Sequence, residues 1–175
     1  MKADYILKSN AVFTGKDDKP FPGGVAVKDN KIIKVVNEQE AAEYEADKVL
    51  DYGDKLIIPG MVDLHLHAPQ YAFRGMCMDL ELMDWLNRYT FPEEEKYEDL
   101  DYARKAYGLF VDGLRSGATS RACIFATRHR DATVLLMDLM EKSGLISYVG
   151  KVNMDREATP GLEEESALRS AFDTF

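Results

Sequence analysis

The alternation of apolar and polar positions divides the chain into two textures. Up to about residue 58, short apolar pieces are separated by polar residues: Tyr5-Ile6-Leu7, Ala11-Val12-Phe13, Val25-Ala26-Val27, Ile32-Ile33 with Val35-Val36, Val49-Leu50 and Leu56-Ile57-Ile58. Pieces of this length, bounded by Gly, Asn and Asp, predict β-strands. Pro22-Gly23-Gly24 predicts a turn. Asp29-Asn30 predicts a tight hairpin, because both residue types tolerate positive φ. Glu38 to Tyr44 predicts a short helix. Residues 1–58 are therefore expected to form a small β-rich unit, and residues 59–175 a second region.

The period changes after Pro59-Gly60. A compact strand, Met61 to His67, leads into an irregular stretch and a helical pattern from Leu80 to Tyr89. Thr90 with Glu93 reads as a capping box, so a new helix is expected to start there. Its apolar positions Tyr97, Leu100, Tyr107, Phe110, Val111 and Leu114 recur at helical spacing until Gly117. A strand from Thr119 to Phe125 follows, then a helix capped near Asp131 and closed by Gly144, then a strand from Leu145 to Val152. A helix-prone tail begins at Leu162. Three alternations of strand and helix predict an α/β fold built from βαβ units around a parallel sheet. The run Glu93-Glu94-Glu95 reads as a solvated helix start favoured by the macrodipole.

Composition narrows the function. The 175 residues suffice for one ordinary domain with a real core, or a large domain with a small appendage. With 31 Asp+Glu against 22 Lys+Arg, the net charge is -9 and no basic cluster occurs, which argues against nucleic-acid binding. No apolar run approaches the roughly 18 residues of a membrane span, and Met1 to Lys8 lacks the h-region of a secretory signal. Cys77 and Cys123 are expected as reduced thiols, so a cytoplasmic protein with no membrane partner is expected.

The candidate chemistry lies in His65 and His67. Two residues apart on a strand, they project from one face. Two neutral imidazoles so placed suit zinc or another borderline divalent ion; two hydrogen-bonded histidines in a sheet are the plain alternative. The pair sits where the strand runs out into Ala68-Pro69-Gln70, and in parallel α/β barrels catalytic groups gather at that strand end. Trp85 is expected in the core, with a pocket wall as its alternative, and Tyr71 and Phe73 divide similarly. Arg74 is expected to anchor a loop by a salt bridge, and His129 to lie at the surface or at a helix entry.

Ile58-Pro59-Gly60-Met61-Val62-Asp63-Leu64-His65-Leu66-His67 resembles the opening barrel strand of the amidohydrolase superfamily. His67-Ala68-Pro69-Gln70-Tyr71-Ala72-Phe73-Arg74-Gly75 is similar to the guanine deaminase family within it. So are Asp84-Trp85-Leu86-Asn87-Arg88-Tyr89-Thr90-Phe91-Pro92-Glu93, Phe125-Ala126-Thr127-Arg128-His129 and Val149-Gly150-Lys151-Val152-Asn153-Met154-Asp155. The similarity runs from about residue 5 to residue 160.

The resemblance implies an N-terminal composite sandwich segment followed by the first three βα units of a metal-dependent (β/α)₈ TIM barrel. It implies hydrolytic deamination of guanine to xanthine and ammonia with one zinc per active site, which activates water by lowering its pKa. His65 and His67 would be metal ligands. His67, Ala68, Pro69 and Gln70 would meet the purine, the Gln70 amide both donating and accepting. A homodimer is implied for the intact enzyme. Lys151 invites comparison with the carbamylated lysine of two-metal amidohydrolases, but its position on the third strand implies a structural role. The cytidine-deaminase type of zinc site, His-x-Glu with Pro-Cys-x-x-Cys, does not occur.

A barrel of this kind takes about 250 residues, and 115 follow Gly60. A truncated barrel is therefore expected, with the family's later histidine, glutamate, aspartate and purine-pairing arginine downstream. Two other readings stay open: an amidohydrolase of another aminated heterocycle, and a non-catalytic fragment serving as an association module.

Overall fold

Strand Ala3–Val12 (β1) organises the N-terminal sheet. The computed structural model describes residues 2–16 and 18–163, together with Arg169 and Ala171. Two compact units divide the chain, Met1–Pro59 and Gly60–Phe175.

In the first unit, β1 pairs antiparallel with Phe21–Lys28 (β2), which pairs antiparallel with Lys31–Asn37 (β3). Helix Glu38–Glu43 (α1) follows, and its first turn is capped by the Asn37 side chain, which accepts from the Glu40 N–H at 2.9 Å. Strands Ala46–Asp51 (β4) and Leu56–Ile57 (β5) both lie parallel to β1. The hairpin forms at Asp29 and Asn30, both with positive φ, 49° and 58°.

Two expectations change here. The apolar pieces around Ile6 and Val12 belong to one strand, with an irregularity between Ser9 and Val12. Buried Ser9 accepts from the Ala11 N–H and donates toward the carbonyls of Gly53 and Lys55, so a polar residue interrupts the apolar pattern without ending the strand. Pro22-Gly23-Gly24 lies within β2 rather than in a turn. A Cβ at Gly23 would collide with the Val36 carbonyl, so this glycine serves a close strand approach.

The second unit holds a parallel sheet in the order Met61–His67 (β6), Thr119–Phe125 (β7) and Ile146–Gly150 (β8). Between β6 and β7 come a 3₁₀ helix, Pro69–Phe73, and three short helical pieces: Leu82–Trp85 (α2), a π-turn Leu86–Thr90, and Phe91–Glu95 (α3). The long helix Leu100–Ser116 (α4) completes this crossover, and Arg130–Ser143 (α5) links β7 to β8. Leu66, Ile124 and Val149 face the two long helices and pack with Tyr107, Phe110, Leu136 and Met140. Strand alternation then turns His65, His67 and Phe125 to the opposite face. The sheet thus has an apolar side for its helices and a second side that carries the histidines.

The expected helix from Thr90 to Gly117 is two helices. Thr90 is already helical (φ −68°, ψ −55°) and makes no side-chain capping bond. The chain enters it through the π-turn, where the Phe91 N–H donates to the Leu86 carbonyl five residues back. Pro92 accounts for the irregularity: it lacks an N–H, and its ring would crowd the carbonyl four residues earlier in a regular helix. The start of α4 is set instead by Asp99, whose carboxylate accepts from the N–H groups of Asp101 and Tyr102 at 2.9 and 3.3 Å.

The acidic run differs as well. Glu93 and Glu94 are 8% and 3% exposed, not solvated. Glu93 accepts from the Tyr102 hydroxyl of α4 and from Lys96, and Tyr97 and Tyr107 lie near enough to Glu94 to feel its charge, neighbours that no local pattern records. The helix-prone tail falls, beyond Glu163, outside the described residues apart from Arg169 and Ala171. Among the described residues no helix is long and apolar enough to cross a membrane.

Two glycines in α4 separate packing from propensity. Around Gly108 nothing lies within 4 Å of a built Cβ, so Gly108→Ala is expected to stabilise by about 0.5–1 kcal/mol. At Gly113 a Cβ would collide with the Tyr71 hydroxyl, and that ring is held edge-on against Phe110. Gly113→Ala is expected to destabilise by about 1–2 kcal/mol despite the same propensity gain. Urea titrations of both variants check this; equal stabilisation would show that Tyr71 moves aside freely.

Candidate metal and substrate site

His65 and His67 stand at the C-terminal end of β6, on the face away from the helices. His65 is exposed and its backbone N–H donates to the Asp63 carboxylate at 3.1 Å. His67 is half-buried. Their Nε2 atoms lie 3.2 Å apart. Two imidazoles on a tetrahedral zinc, each at about 2.0–2.1 Å, have their nitrogens separated by about 3.3 Å. The same distance also suits a single N–H···N bond between the rings. A divalent ion would take the place of that shared proton, so the pair fits two corners of a metal shell. Among the described residues no group of three or more His, Cys, Asp or Glu side chains is arranged to hold a metal.

Phe125 fixes the orientation of the pair. Register sets it opposite His67 across β6 and β7. Its ring stacks on His67 with centroids 4.8 Å apart and an interplanar angle of 17°, and lies 5.1 Å from His65. Burial, and secondarily the neighbouring His65, hold the His67 imidazole below its ordinary pKa, so it is neutral at physiological pH. Neutral imidazole is the form that ligates a metal. His67 Nδ1 is buried without a hydrogen-bond partner among the described residues.

A cleft of about 600 Å³ opens beside the histidines, and Gln70, Phe73, Arg74 and Trp85 line it with them. The 3₁₀ helix brings Gln70 and Phe73 there immediately past the strand. Ala68 and Pro69 are not among the lining residues. They are buried behind it: the Ala68 N–H extends the β6–β7 ladder to the Phe125 carbonyl, and the Pro69 carbonyl accepts from the Tyr97 hydroxyl at 3.5 Å. Trp85, expected in the core, is half-buried on the cleft wall, its ring 5.5 Å from that of Phe73. Phe125 is the site residue that sequence reasoning left without a role. Its signal was its place at the end of the neighbouring strand, level with His67, which needs the register to be known.

The remaining candidates lie elsewhere. His129 occupies the N-cap position of α5, at the helix entry, and does not line the cleft. Burial and then the Arg128 cation lower its pKa, partly opposed by Glu98, by a bond to the Glu94 backbone and by Glu95. The Lys151 ammonium donates to the Asn153 side chain at 2.7 Å and to the Val152 carbonyl at 3.3 Å. Glu93 accepts from the Tyr102 hydroxyl and from Lys96. Among the described residues Glu94 Oε2 has no such partner, and burial pushes the carboxyl up to about 7.

The sequence profile of the amidohydrolase family matches residues 56–174. Over 123 residues the chain is 43% identical to guanine deaminase of Dictyostelium discoideum, and over 120 residues 41% identical to guanine deaminase of Rattus norvegicus. These alignments cover 70% and 69% of this chain, and 26% of each relative. Among solved structures, guanine deaminase from C. acetobutylicum with guanine bound in its active site superposes with a TM-score of 0.83 and 39% identity. That match covers 97% of this chain and 41% of the solved one. The chain thus spans about a quarter of the length of the sequence relatives it matches.

Proposed function

The chain belongs to the amidohydrolase family, and from that premise we propose that the protein carrying it is a zinc-dependent deaminase that hydrolyses guanine to xanthine and ammonia. Residues 1–58 would contribute the composite sandwich segment, and residues 59–175 the first βα units of the barrel. The observation that carries the reading is the convergence of His65 and His67, Nε2 to Nε2 at 3.2 Å, on a cleft that Gln70 also lines.

His65 and His67 would hold the zinc through neutral imidazoles, with Phe125 stacked on the His67 ring. Zinc bound there supplies Lewis-acid activation of water for attack on an aminated ring carbon. Gln70 orients the purine edge, since its amide offers both a donor and an acceptor. Phe73 and Trp85 present apolar surface to a flat heterocycle and keep water from its faces. The further groups that move protons are expected outside the 175 residues. Cys77 and Cys123 are free thiols, as a cytoplasmic setting would keep them, and a homodimer is the assembly the resemblance implies.

Ammonia release tests the reading directly. The intact zinc-loaded protein is expected to release ammonia from guanine, with loss of guanine absorbance, and not from adenine or cytosine. A protein that retains zinc but leaves guanine untouched, while deaminating another aminated heterocycle, would replace guanine as the substrate.

A further inference from the structure

Arg74 follows the 3₁₀ helix that carries Gln70, and it lines the same cleft. It forms no salt bridge among the described residues, unlike the ion-paired loop anchor that the sequence suggested. Its guanidinium instead lies 3.8 Å over the Tyr71 ring, and Nη1 donates to the Tyr71 carbonyl at 3.1 Å. Tyr71 is itself immobilised, edge-on to Phe110 and with its hydroxyl against Gly113. One face of the guanidinium is therefore occupied and one donor is used, while its other N–H groups have no acceptor among the described residues. Of the side chains lining the cleft, Arg74 alone carries a permanent charge. It is a fixed positive group in a chain whose net charge is -9.

The donor inventory gives this placement a consequence. An amide such as Gln70 can rotate to meet either a carbonyl or an amino group, so it discriminates poorly between them. A guanidinium has donors only. It meets a ring carbonyl with a charge-assisted bond, and meets an amino group with donor against donor.

We propose that Arg74 is a specificity-determining residue of the cleft, selecting oxo-substituted purines over amino-substituted ones at the ring position farther from the histidine pair. The proposal rests on reading the cleft as a purine site, and it adds to that reading a group, beside the family's downstream purine-pairing arginine, that favours guanine over adenine. Arg74 takes no part in the hydrolysis itself.

The chain's single tryptophan, Trp85, lines this cleft, so its fluorescence reports occupancy directly. The 175-residue chain would be titrated with hypoxanthine, which is 6-oxo, and with adenine, which is 6-amino; neither carries a 2-amino group. Hypoxanthine is expected to quench Trp85 with about tenfold higher affinity than adenine, the scale of one charge-assisted hydrogen bond. Arg74→Met should remove most of that preference by weakening hypoxanthine about tenfold, and Arg74→Lys should restore part of it. An unchanged preference in Arg74→Met would overturn the role of Arg74 and leave the purine site standing. So would an equal loss for both purines, which would mark a structural effect. Absence of quenching by either purine in the unaltered chain would overturn the role and the purine site together. Circular dichroism melting of each variant establishes that it is folded.

Discussion

Glu94→Gln is expected to stabilise the fold by about 2–3 kcal/mol at pH 8 and to destabilise it by up to about 1 kcal/mol at pH 4. The carboxyl is 3% exposed, its Oε2 has no partner among the described residues, and burial alone raises its pKa from 4.5 to about 7. Tyr97 and Tyr107 feel the same carboxyl and are pushed far upward by their own burial, so neither neutralises it. The sign follows from linkage. Below pH 4.5 the carboxyl is protonated in both states, so its ionisation adds no penalty. Between pH 4.5 and 7 the unfolded chain ionises while the folded chain holds its proton, so stability falls as pH rises. Above about pH 7 the full penalty is present. Glutamine keeps the shape of the neutral carboxyl but cannot ionise; its amide donors, lacking acceptors there, trim the gain. Urea titrations of both proteins across pH 4 to 8 give a difference curve that should open between pH 4.5 and 7. A flat difference curve would mean that a group or water compensates the buried charge.

Removing either histidine of the pair is expected to lower zinc affinity about a hundredfold, and His65→Ala with His67→Ala together to abolish specific binding. Two ligands two residues apart on a strand act as a chelate, the second binding at an effective concentration that the backbone sets. Loss of one returns the ion to a single imidazole. The unaltered 175-residue chain should itself bind zinc weakly, since two histidines leave half of a tetrahedral shell to water. Isothermal titration of zinc into the chain and its variants measures both effects. Tight stoichiometric binding in the single variants would require ligands other than this pair. His65→Ala should barely alter stability, because His65 is exposed and the apolar packing of the sheet lies on its other face, whereas His67→Ala should cost about 1 kcal/mol through its lost stacking on Phe125.

The two experiments probe different kinds of information. His65 and His67 could be assigned to one face from the sequence because strand period is a property of adjacent residues. The hairpin at Asp29-Asn30 and the strand from Thr119 to Phe125 were readable for the same local reason. Local signals failed where a distant element intervened. Thr90 and Glu93 carry a capping signature, yet the chain is helical before it reaches them, because the π-turn accommodates Pro92. Three consecutive glutamates look solvated, yet two of them are buried, Glu93 against Tyr102 and Glu94 near Tyr97 and Tyr107.

By itself, then, the sequence determined the α/β alternation, the shared face of the histidine pair and the expectation of a metal between them. Each depends on backbone periodicity and side-chain chemistry within a few residues. Only the tertiary structure decided what surrounds that pair. Register across β6 and β7 stacked Phe125 on His67, and the irregular crossover turned Trp85 and Arg74 to the cleft while Ala68 and Pro69 went behind it. These outcomes depend on which surfaces segments distant in sequence cover. Burial is a property of the packed chain, so no neighbouring residues can encode it alone.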